Sequence, residues 1–269
     1  MRASPSTVAG TDSAGCSGLA ADLRTVAALG GHGQLAVTAV TAQDSRGVRA
    51  LAPVSPRLVR AQIAAVFADA GTAAVKVGML ATAPIVRAVA AALAGRGGAY
   101  VVLDPVLRST TGRALLDEAG RRALVDLLLP LADVITPNLP EAEALLGHRV
   151  RGLAGMRAAA RQLRDLGARA VLLKGGHRGG EAVDVFVDGS DTLLLSAPRI
   201  PSADTRGTGC VLSTACACFL AQGIDLPEAV SRAKAFVTAA IRQSYRLGRG
   251  PGPVNPTAAG FQEPGGGAR

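Results

Sequence analysis

The stretch Asp204-Thr-Arg-Gly-Thr-Gly-Cys-Val-Leu-Ser213 decides how this chain is interpreted. It is a polar, glycine-rich loop that runs directly into a helix of small residues over 214–221. Such a loop points several backbone N–H groups at one spot, and the helix N-terminus adds partial positive charge there. The stretch therefore predicts a binding site for an anion, most often a phosphate.

Cys210 lies at the mouth of this predicted anion site. A thiol at a helix N-terminus tends toward a lowered pKa and so toward the thiolate. A phosphate cradle with a candidate base beside it indicates phosphoryl transfer to a small hydroxyl compound.

Apolar runs alternate with helical patterns outside this loop. The predicted buried strands are 34–40, 73–77, 99–103, 133–135 and 170–173. The predicted helices are 17–29, 56–68, 83–93, 117–129, 153–166, about 208–222 and 226–246. This alternation is typical of βαβ units and predicts an α/β fold with a mostly parallel sheet covered on both faces. Residues 183–196 break the pattern and predict an antiparallel hairpin at one edge of the sheet.

The chain of 269 residues is long enough for one large α/β domain. We predict a single domain over 1–255 and a disordered tail, rich in glycine and proline, over 256–269. Residues 1–6 lack the apolar region of a signal peptide, and no apolar stretch approaches the roughly 20 residues of a membrane span. The four cysteines have neither zinc nor disulfide spacing, which indicates the reducing cytoplasm and buried structural thiols at Cys216 and Cys218.

The net charge of +9 raises the question of a nucleic-acid partner. The excess is nearly all arginine spread along the predicted helices, without a dense cluster interleaved with aromatic residues. Solvated helix faces explain this pattern better, so we expect no nucleic-acid partner.

Polar segments follow several predicted strands at their carboxyl ends, where open parallel sheets bind ligands. Lys174 is suited to neutralise phosphate charge, or else caps a strand edge. Asn138 and Glu141 supply oxygen ligands for Mg²⁺, or else cap a helix. Asp104 holds a magnesium-bound water, or else forms an Asp-Pro turn. The sequence has neither a P-loop nor a glycine-rich dinucleotide motif after a strand.

Ordered motifs run along most of the chain. They are Ala9-Gly-Thr-Asp12, Thr38-Ala-Val-Thr-Ala-Gln43, Lys76-Val-Gly-Met-Leu80, Val102-Leu-Asp-Pro-Val106, Thr136-Pro-Asn-Leu-Pro-Glu-Ala142, Lys174-Gly-Gly-His177 and Gly207-Thr-Gly-Cys-Val-Leu-Ser213. Together they resemble one family, the hydroxymethylpyrimidine/phosphomethylpyrimidine kinases of thiamine biosynthesis, in the ribokinase-like superfamily. The resemblance implies a ribokinase-like three-layer αβα sandwich, a small-molecule substrate, ATP and Mg²⁺ as cofactors, and a homodimer.

The resemblance also implies roles for particular residues. Gln43 would read the pyrimidine ring by side-chain hydrogen bonds, in a pocket lined by Asp22, Met79 and Gly10. The anion hole around the transferring phosphate would be formed by Gly207, Thr208 and Gly209. Cys210 would take the place of the aspartate base found in most of the superfamily. The remaining assignments are phosphate and nucleotide contacts for Lys174, Asn138 and Arg206, and water-mediated Mg²⁺ binding for Glu141 and Asp104.

The sequence departs from the family pattern at two positions. Arg206 stands where the family often has histidine, and Cys16 stands where it usually has glycine. A larger side chain near the substrate loop is expected to alter the pocket.

Two alternative functions remain open on the same scaffold. A pyridoxal kinase is one, although such relatives can hold the aldehyde with a cysteine in the 106–112 segment, where this chain has Arg108-Ser-Thr-Thr111. A non-catalytic ligand-binding relative is the other, and the intact Cys210 and Lys174 argue against it.

Overall fold

The computed structural model of the chain describes residues 5–176 and 182–259. The strands among them are β1 (Ser6–Ala9), β2 (Gln34–Val37), β3 (Ala39–Asp44), β4 (Gly47–Pro53), β5 (Ala74–Val77), β6 (Tyr100–Leu103), β7 (Val134–Ile135), β8 (Ala170–Leu173), β9 (Ala182–Asp188) and β10 (Asp191–Ala197). Eight of them form one sheet in the order β10-β9-β8-β7-β6-β5-β1-β2. Strands β1, β2, β5, β6, β7 and β8 run parallel, and β9 and β10 add an antiparallel edge. The predicted mostly parallel sheet with an edge hairpin is therefore confirmed.

Helices cover both faces of this sheet. They are α1 (Gly18–Ala28), α2 (Pro56–Ala68), α3 (Ala83–Leu93), α4 (Glu118–Ala123), α5 (Leu139–Leu146), α6 (Gly152–Asp165), α7 (Thr208–Ala221) and α8 (Leu226–Arg242). One apolar core joins the sheet to α2, α3, α5 and α6, and a second joins its other face to α1, α7 and α8.

The strand sequences explain why the sheet is buried on both faces. Side chains alternate across a strand, so Val75 and Val77 enter the first core, whereas Ala74 enters the second. The residues of β5 and β8 are all buried. The unbroken apolar run of β8 is the pattern expected for a strand between two helical layers, and β5 follows it except at Lys76.

The predicted strand 34–40 is not one continuous strand. β2 ends at Val37 and belongs to the main sheet, whereas β3 begins at Ala39 and pairs with β4 in a separate two-stranded sheet. Between them, the backbone N–H of Thr38 donates to the Ala9 carbonyl, and the Thr38 carbonyl accepts from Val54 N–H. The chain thus changes sheets at Thr38, and the strand β4 was missed by the sequence pattern.

The predicted helix 117–129 is also not one regular helix. α4 ends at Ala123, a π-helical turn covers Leu124–Leu128, and a 3-10 turn covers Leu129–Leu131. Pro130 has no N–H to donate, so a regular helix cannot continue through it. α8 ends at Arg242 rather than at 246.

Other expectations concern cysteines, the membrane and the tail. Cys216 and Cys218 are buried and unpaired, which confirms their structural interpretation. None of the helices in the described part of the chain is long and apolar enough to cross a membrane. His177 and residues 260–269 of the predicted tail lie outside the described residues.

Candidate functional site

A cleft of about 1530 Å³ opens at the carboxyl ends of the parallel strands, next to the N-terminus of α7. Pockets for single small molecules measure roughly 300–1,000 Å³, so this cleft has room for a nucleotide and a second small ligand. Every site residue that the sequence analysis singled out lines the cleft, except Asp22 and Arg206.

The loop at the start of α7 is shaped by its glycines. Gly207 has φ +81°, and a Cβ there would lie 2.2 Å from the carbonyl oxygen of Cys16. Only glycine combines this left-handed backbone with such a close approach. A Cβ at Gly209 would lie 3.3 Å from the Lys174 Nζ, so the loop backbone and this ammonium group face each other. This arrangement suits an anion.

Lys174 and Asp104 form an ion pair beside this loop. The Lys174 Nζ donates to Asp104 Oδ1 over 3.1 Å, and Thr136 Oγ1 donates to the same oxygen over 3.3 Å. Burial alone would lower the pKa of Lys174, but the carboxylates of Asp104 and Glu141 outweigh it and the net pKa is raised. The cleft therefore carries a permanent positive charge next to the loop.

Asn138 and Glu141 cap the start of α5. The Asn138 side chain accepts from Glu141 N–H over 2.9 Å, and Glu141 Oε2 accepts from Asn138 N–H over 2.8 Å. This reciprocal pair is a capping box, so the two residues form the helix cap that the sequence offered as one interpretation. Glu141 Oε1 has no hydrogen-bond partner among the described residues, and the side chain lines the cleft. Burial raises the pKa of Glu141 to about 7, although Lys174 opposes this shift.

The expectation of a lowered pKa for Cys210 is wrong. Burial raises the pKa of the thiol to about 11, even though the ammonium group of Lys76 acts in the opposite direction. The cost of a charged sulfur in a half-buried position exceeds the stabilisation from the helix N-terminus and the nearby cation. Cys210 is therefore a neutral thiol at pH 7.

Contrary to the expectation from the sequence, Asp22 does not line the cleft. Its side chain is fully buried behind the cleft and accepts from Lys76 Nζ over 2.9 and 3.0 Å. Thr214 Oγ1 donates to it over 2.8 Å, from one helical turn beyond Cys210. Asp22 thus holds Lys76, which does line the cleft. Sequence analysis missed the role of Lys76, although a lysine inside the apolar run Ala74–Val77 was a visible signal.

Gly10, Gln43 and Met79 line the cleft together, as the sequence analysis expected. A Cβ at Gly10 would lie 2.1 Å from Met79 Cε, so the glycine leaves room for the methionine side chain. The backbone of Met79 is held by Thr38, whose Oγ1 donates to the Met79 carbonyl over 2.6 Å. The half-buried Gln43 supplies a side-chain amide to this part of the cleft.

Contrary to the expected nucleotide or phosphate contact, Arg206 does not line the cleft. It is 6% exposed, pairs with Asp12 over 3.4 Å, and donates to the Asp44 carbonyl over 2.5 Å. Its side chain turns toward these acceptors because they compensate its charge inside the protein. Cys16 is buried as well and is not among the residues that line the cleft.

One further polar cluster in the cleft was missed by the sequence analysis. Lys234 of α8 pairs with Asp184 of β9 over 2.7 Å, and the other carboxylate oxygen of Asp184 accepts from Gly175 N–H over 2.8 Å. In the sequence, Lys234 lies 50 positions from Asp184, and Gly175 lies 9 positions from it. Only the packing of α8 against the edge hairpin reveals that they share one site.

Comparison with known proteins places this cleft among small-molecule kinases. The family model described as phosphomethylpyrimidine kinase matches residues 12–255. The chain is 48% identical over 249 residues to the hydroxymethylpyrimidine/phosphomethylpyrimidine kinase of Streptomyces coelicolor, covering 93% of this chain and 92% of that protein. It is also 48% identical over 255 residues to the thiamine biosynthesis bifunctional protein ThiED of Geobacter sulfurreducens, covering 94% of this chain but only 52% of that longer protein.

The fold has close counterparts among solved structures. The ADP complex of Bacillus subtilis pyridoxal kinase superimposes with a TM-score of 0.90 at 35% identity, covering 96% of this chain and 98% of that one. The family match over residues 12–255 includes the glycine loop at residues 207–209 as well as Lys174, Gln43 and Met79 of the cleft. The chain belongs to the phosphomethylpyrimidine kinase family.

Proposed function

We propose that this chain uses ATP to phosphorylate 4-amino-5-hydroxymethyl-2-methylpyrimidine, and then its monophosphate, in thiamine biosynthesis. The observation that carries the proposal is one cleft with two chemically different ends. The glycine loop and Lys174 are suited to phosphate at one end, and Gln43 is suited to a ring with hydrogen-bonding edges at the other. The names of the sequence relatives support the same reaction.

In the first step, the alcohol oxygen attacks the γ-phosphorus of ATP, and the bond to the ADP oxygen breaks. The backbone amides of residues 207–209 and the Lys174 ammonium group offset the charge on the transferring group. The alcohol proton passes to the thiolate form of Cys210. In the second step the nucleophile is a phosphate oxygen that is already anionic, so no alcohol proton has to be removed.

Mg²⁺ fits the oxygen ligands in the cleft through water. The described residues contain no group of three or more His, Cys, Asp or Glu side chains placed to hold a metal ion. Mg²⁺ in nucleotide sites usually keeps several waters and takes one or two carboxylates together with phosphate oxygens. Glu141, with a carboxylate oxygen to spare, and Asp104 are suited to this role. Bound Mg²⁺ would neutralise charge on the phosphates.

A pyridoxal kinase is the second candidate, because the Bacillus subtilis structure with that name shares the fold at 35% identity. A substrate panel with Mg-ATP separates the two. We expect ADP release with the pyrimidine alcohol and with its monophosphate, and phosphorus NMR of the products should show the mono- and diphosphate. ADP release with pyridoxal alone would contradict the proposal, and no ADP release with any substrate would favour a non-catalytic relative.

A homodimer is part of the proposal, as the family resemblance implies. One face of the separate β3–β4 sheet exposes Val40 and, paired across the two strands, Ala42, Ala50 and Ala52. This is an apolar surface that a second copy would cover. Light scattering should then give twice the 27.0 kDa of one chain.

A further inference from the structure

Gln43 is held at an irregularity of the β3–β4 pair. The register shifts between Ala42 and Gln43, which is a β-bulge, and bulges commonly redirect a side chain next to an active site. Ser13 Oγ accepts from Gln43 N–H and donates to the Gln43 carbonyl, both over 2.7 Å. These two hydrogen bonds fix the position of the Gln43 backbone relative to the cleft.

The side-chain amide of Gln43 is held separately, by Asp12. Gln43 Nε2 donates to Asp12 Oδ2 over 3.1 Å. The same carboxylate accepts from the backbone N–H groups of Ala14 and Ser17, both over 2.9 Å, and from Ser17 Oγ over 2.8 Å. Asp12 is 6% exposed and is thus surrounded by hydrogen-bond donors.

Arg206 completes this arrangement. Its Nη2 lies 3.4 Å from Asp12 Oδ2, and its Nη1 donates to the carbonyl of Asp44, the neighbour of Gln43. Arg206 also directly precedes Gly207 of the anion loop, and its backbone is hydrogen-bonded to Gly252 and Val254. The Arg206 side chain therefore holds the region around Gln43, while its backbone is anchored directly before the glycine loop.

These contacts determine which way the Gln43 amide points. An ionised carboxylate only accepts hydrogen bonds, so the flipped amide would place two acceptor oxygens against each other beside Asp12. With Nε2 on Asp12, Oε1 is left without a hydrogen-bond partner among the described residues, in a side chain that lines the cleft. The Gln43 amide therefore presents its oxygen as acceptor and its remaining N–H as donor to the cleft in a fixed order.

We propose that the Asp12–Arg206 pair is a specificity device that locks the orientation of the Gln43 amide. An aminopyrimidine edge offers an N–H donor next to a ring-nitrogen acceptor, which matches that order. The 4-oxo analogue offers a carbonyl acceptor next to a ring N–H donor, which is the reverse. Asp12 and Arg206 are positioning residues, and the inference rests on the proposed pyrimidine kinase function.

The test compares kcat/KM for the 4-amino alcohol and for its 4-oxo analogue. We expect the natural chain to prefer the amino compound by about 100-fold or more, because a reversed edge leaves buried polar groups unpaired. Asp12→Asn should lower this preference by about tenfold, since an asparagine amide can donate or accept and tolerates both orientations of Gln43. The ratio does not depend on how much of the variant is folded.

Two further variants keep the test decisive. Arg206→Lys retains the charge but loses the planar fork that reaches both Asp12 and Asp44, so an intermediate ratio is expected. Asp44→Asn is the matched control, because its carboxylate contacts Arg49 and turn amides and does not touch the Gln43 amide. It should leave the ratio unchanged.

The outcomes separate this inference from the function on which it rests. Unchanged preference in both Asp12→Asn and Arg206→Lys would overturn the specificity device while the kinase function stands. An equal loss in the Asp44→Asn control would do the same. A natural chain that phosphorylates neither pyrimidine would overturn the proposed function itself, and the inference with it.

Discussion

At the scale of single residues, Cys210 shows two physical effects in competition. The N-terminus of α7 and the ammonium group of Lys76 favour the thiolate, whereas burial favours the thiol and raises its pKa to about 11. The thiolate is therefore scarce at neutral pH. A base that is mostly protonated makes the alcohol step depend strongly on pH.

We predict that the single-turnover rate of the alcohol step rises about tenfold per pH unit between pH 7 and 9. The reason is that the thiolate fraction grows tenfold per unit while the pH stays below the pKa. Rapid-quench measurements across this range check the slope. The second phosphorylation should lack this slope, because its nucleophile has no alcohol proton to lose.

Cys210→Ala provides the matching variant. It should slow the first phosphorylation by about 100-fold or more and remove its pH slope, while the second step changes far less. Equal losses in both single-turnover rates would remove the assignment of Cys210 as base.

Glu141 gives a second pH-dependent prediction. Its pKa is raised to about 7, so the carboxyl becomes protonated as the pH falls through 7 and loses the charge that attracts a cation. We expect the apparent affinity for Mg²⁺ in the presence of ADP to fall between pH 8 and pH 6, measured by calorimetry. Glu141→Gln keeps the helix cap, because glutamine serves in a capping box. This variant should bind Mg²⁺ more weakly and show a smaller fall in affinity from pH 8 to pH 6, the remainder coming from protonation of the ADP phosphate itself.

At the scale of elements, Asp22 joins three of them in the layer behind the cleft. It lies on α1 and contacts Lys76 of β5 and Thr214 of α7. Burial raises the pKa of Asp22, and the ammonium group of Lys76 counteracts this shift. These hydrogen bonds hold the start of α7, which follows the glycine loop, at a fixed distance from the sheet.

Asp22→Asn should therefore destabilise the protein by about 3–5 kcal/mol, since it leaves Lys76 buried without a compensating charge. Urea unfolding measures the difference. The double variant Asp22→Asn with Lys76→Met should recover a large part of the loss. Glu228→Gln is the control, because it breaks the exposed pair with Arg232 and should cost less than about 1 kcal/mol. Similar losses in Asp22→Asn and in the control would contradict the argument.

At the scale of the whole molecule, two apolar cores share one sheet. Neighbouring residues such as Val101 and Val102 belong to opposite cores, so neither core can open without disrupting the strands of the other. We predict one cooperative thermal transition, with coincident curves from circular dichroism and from calorimetry. Two separate transitions would argue against the single domain proposed for residues 1–255.

Binding of ADP with Mg²⁺ should raise the temperature of that single transition. The ligand binds the folded cleft and not the unfolded chain, so mass action stabilises the folded state. Lys174→Met should reduce the shift, because it removes the positive charge beside the anion loop.

The sequence by itself determined the α/β layering, the edge hairpin and the glycine loop at the start of α7, because each is a local pattern of neighbouring residues. It also identified the strand ends that line the cleft. It did not determine the break at Thr38, the helix irregularity before Pro130, or the correct places of Asp22 and Arg206. Tertiary structure decided those, since Asp22 meets Thr214 across 192 positions and Arg206 meets Asp12 across 194. The pKa of Cys210 was decided there too, because burial depends on what packs around a residue and not on its neighbours in the chain.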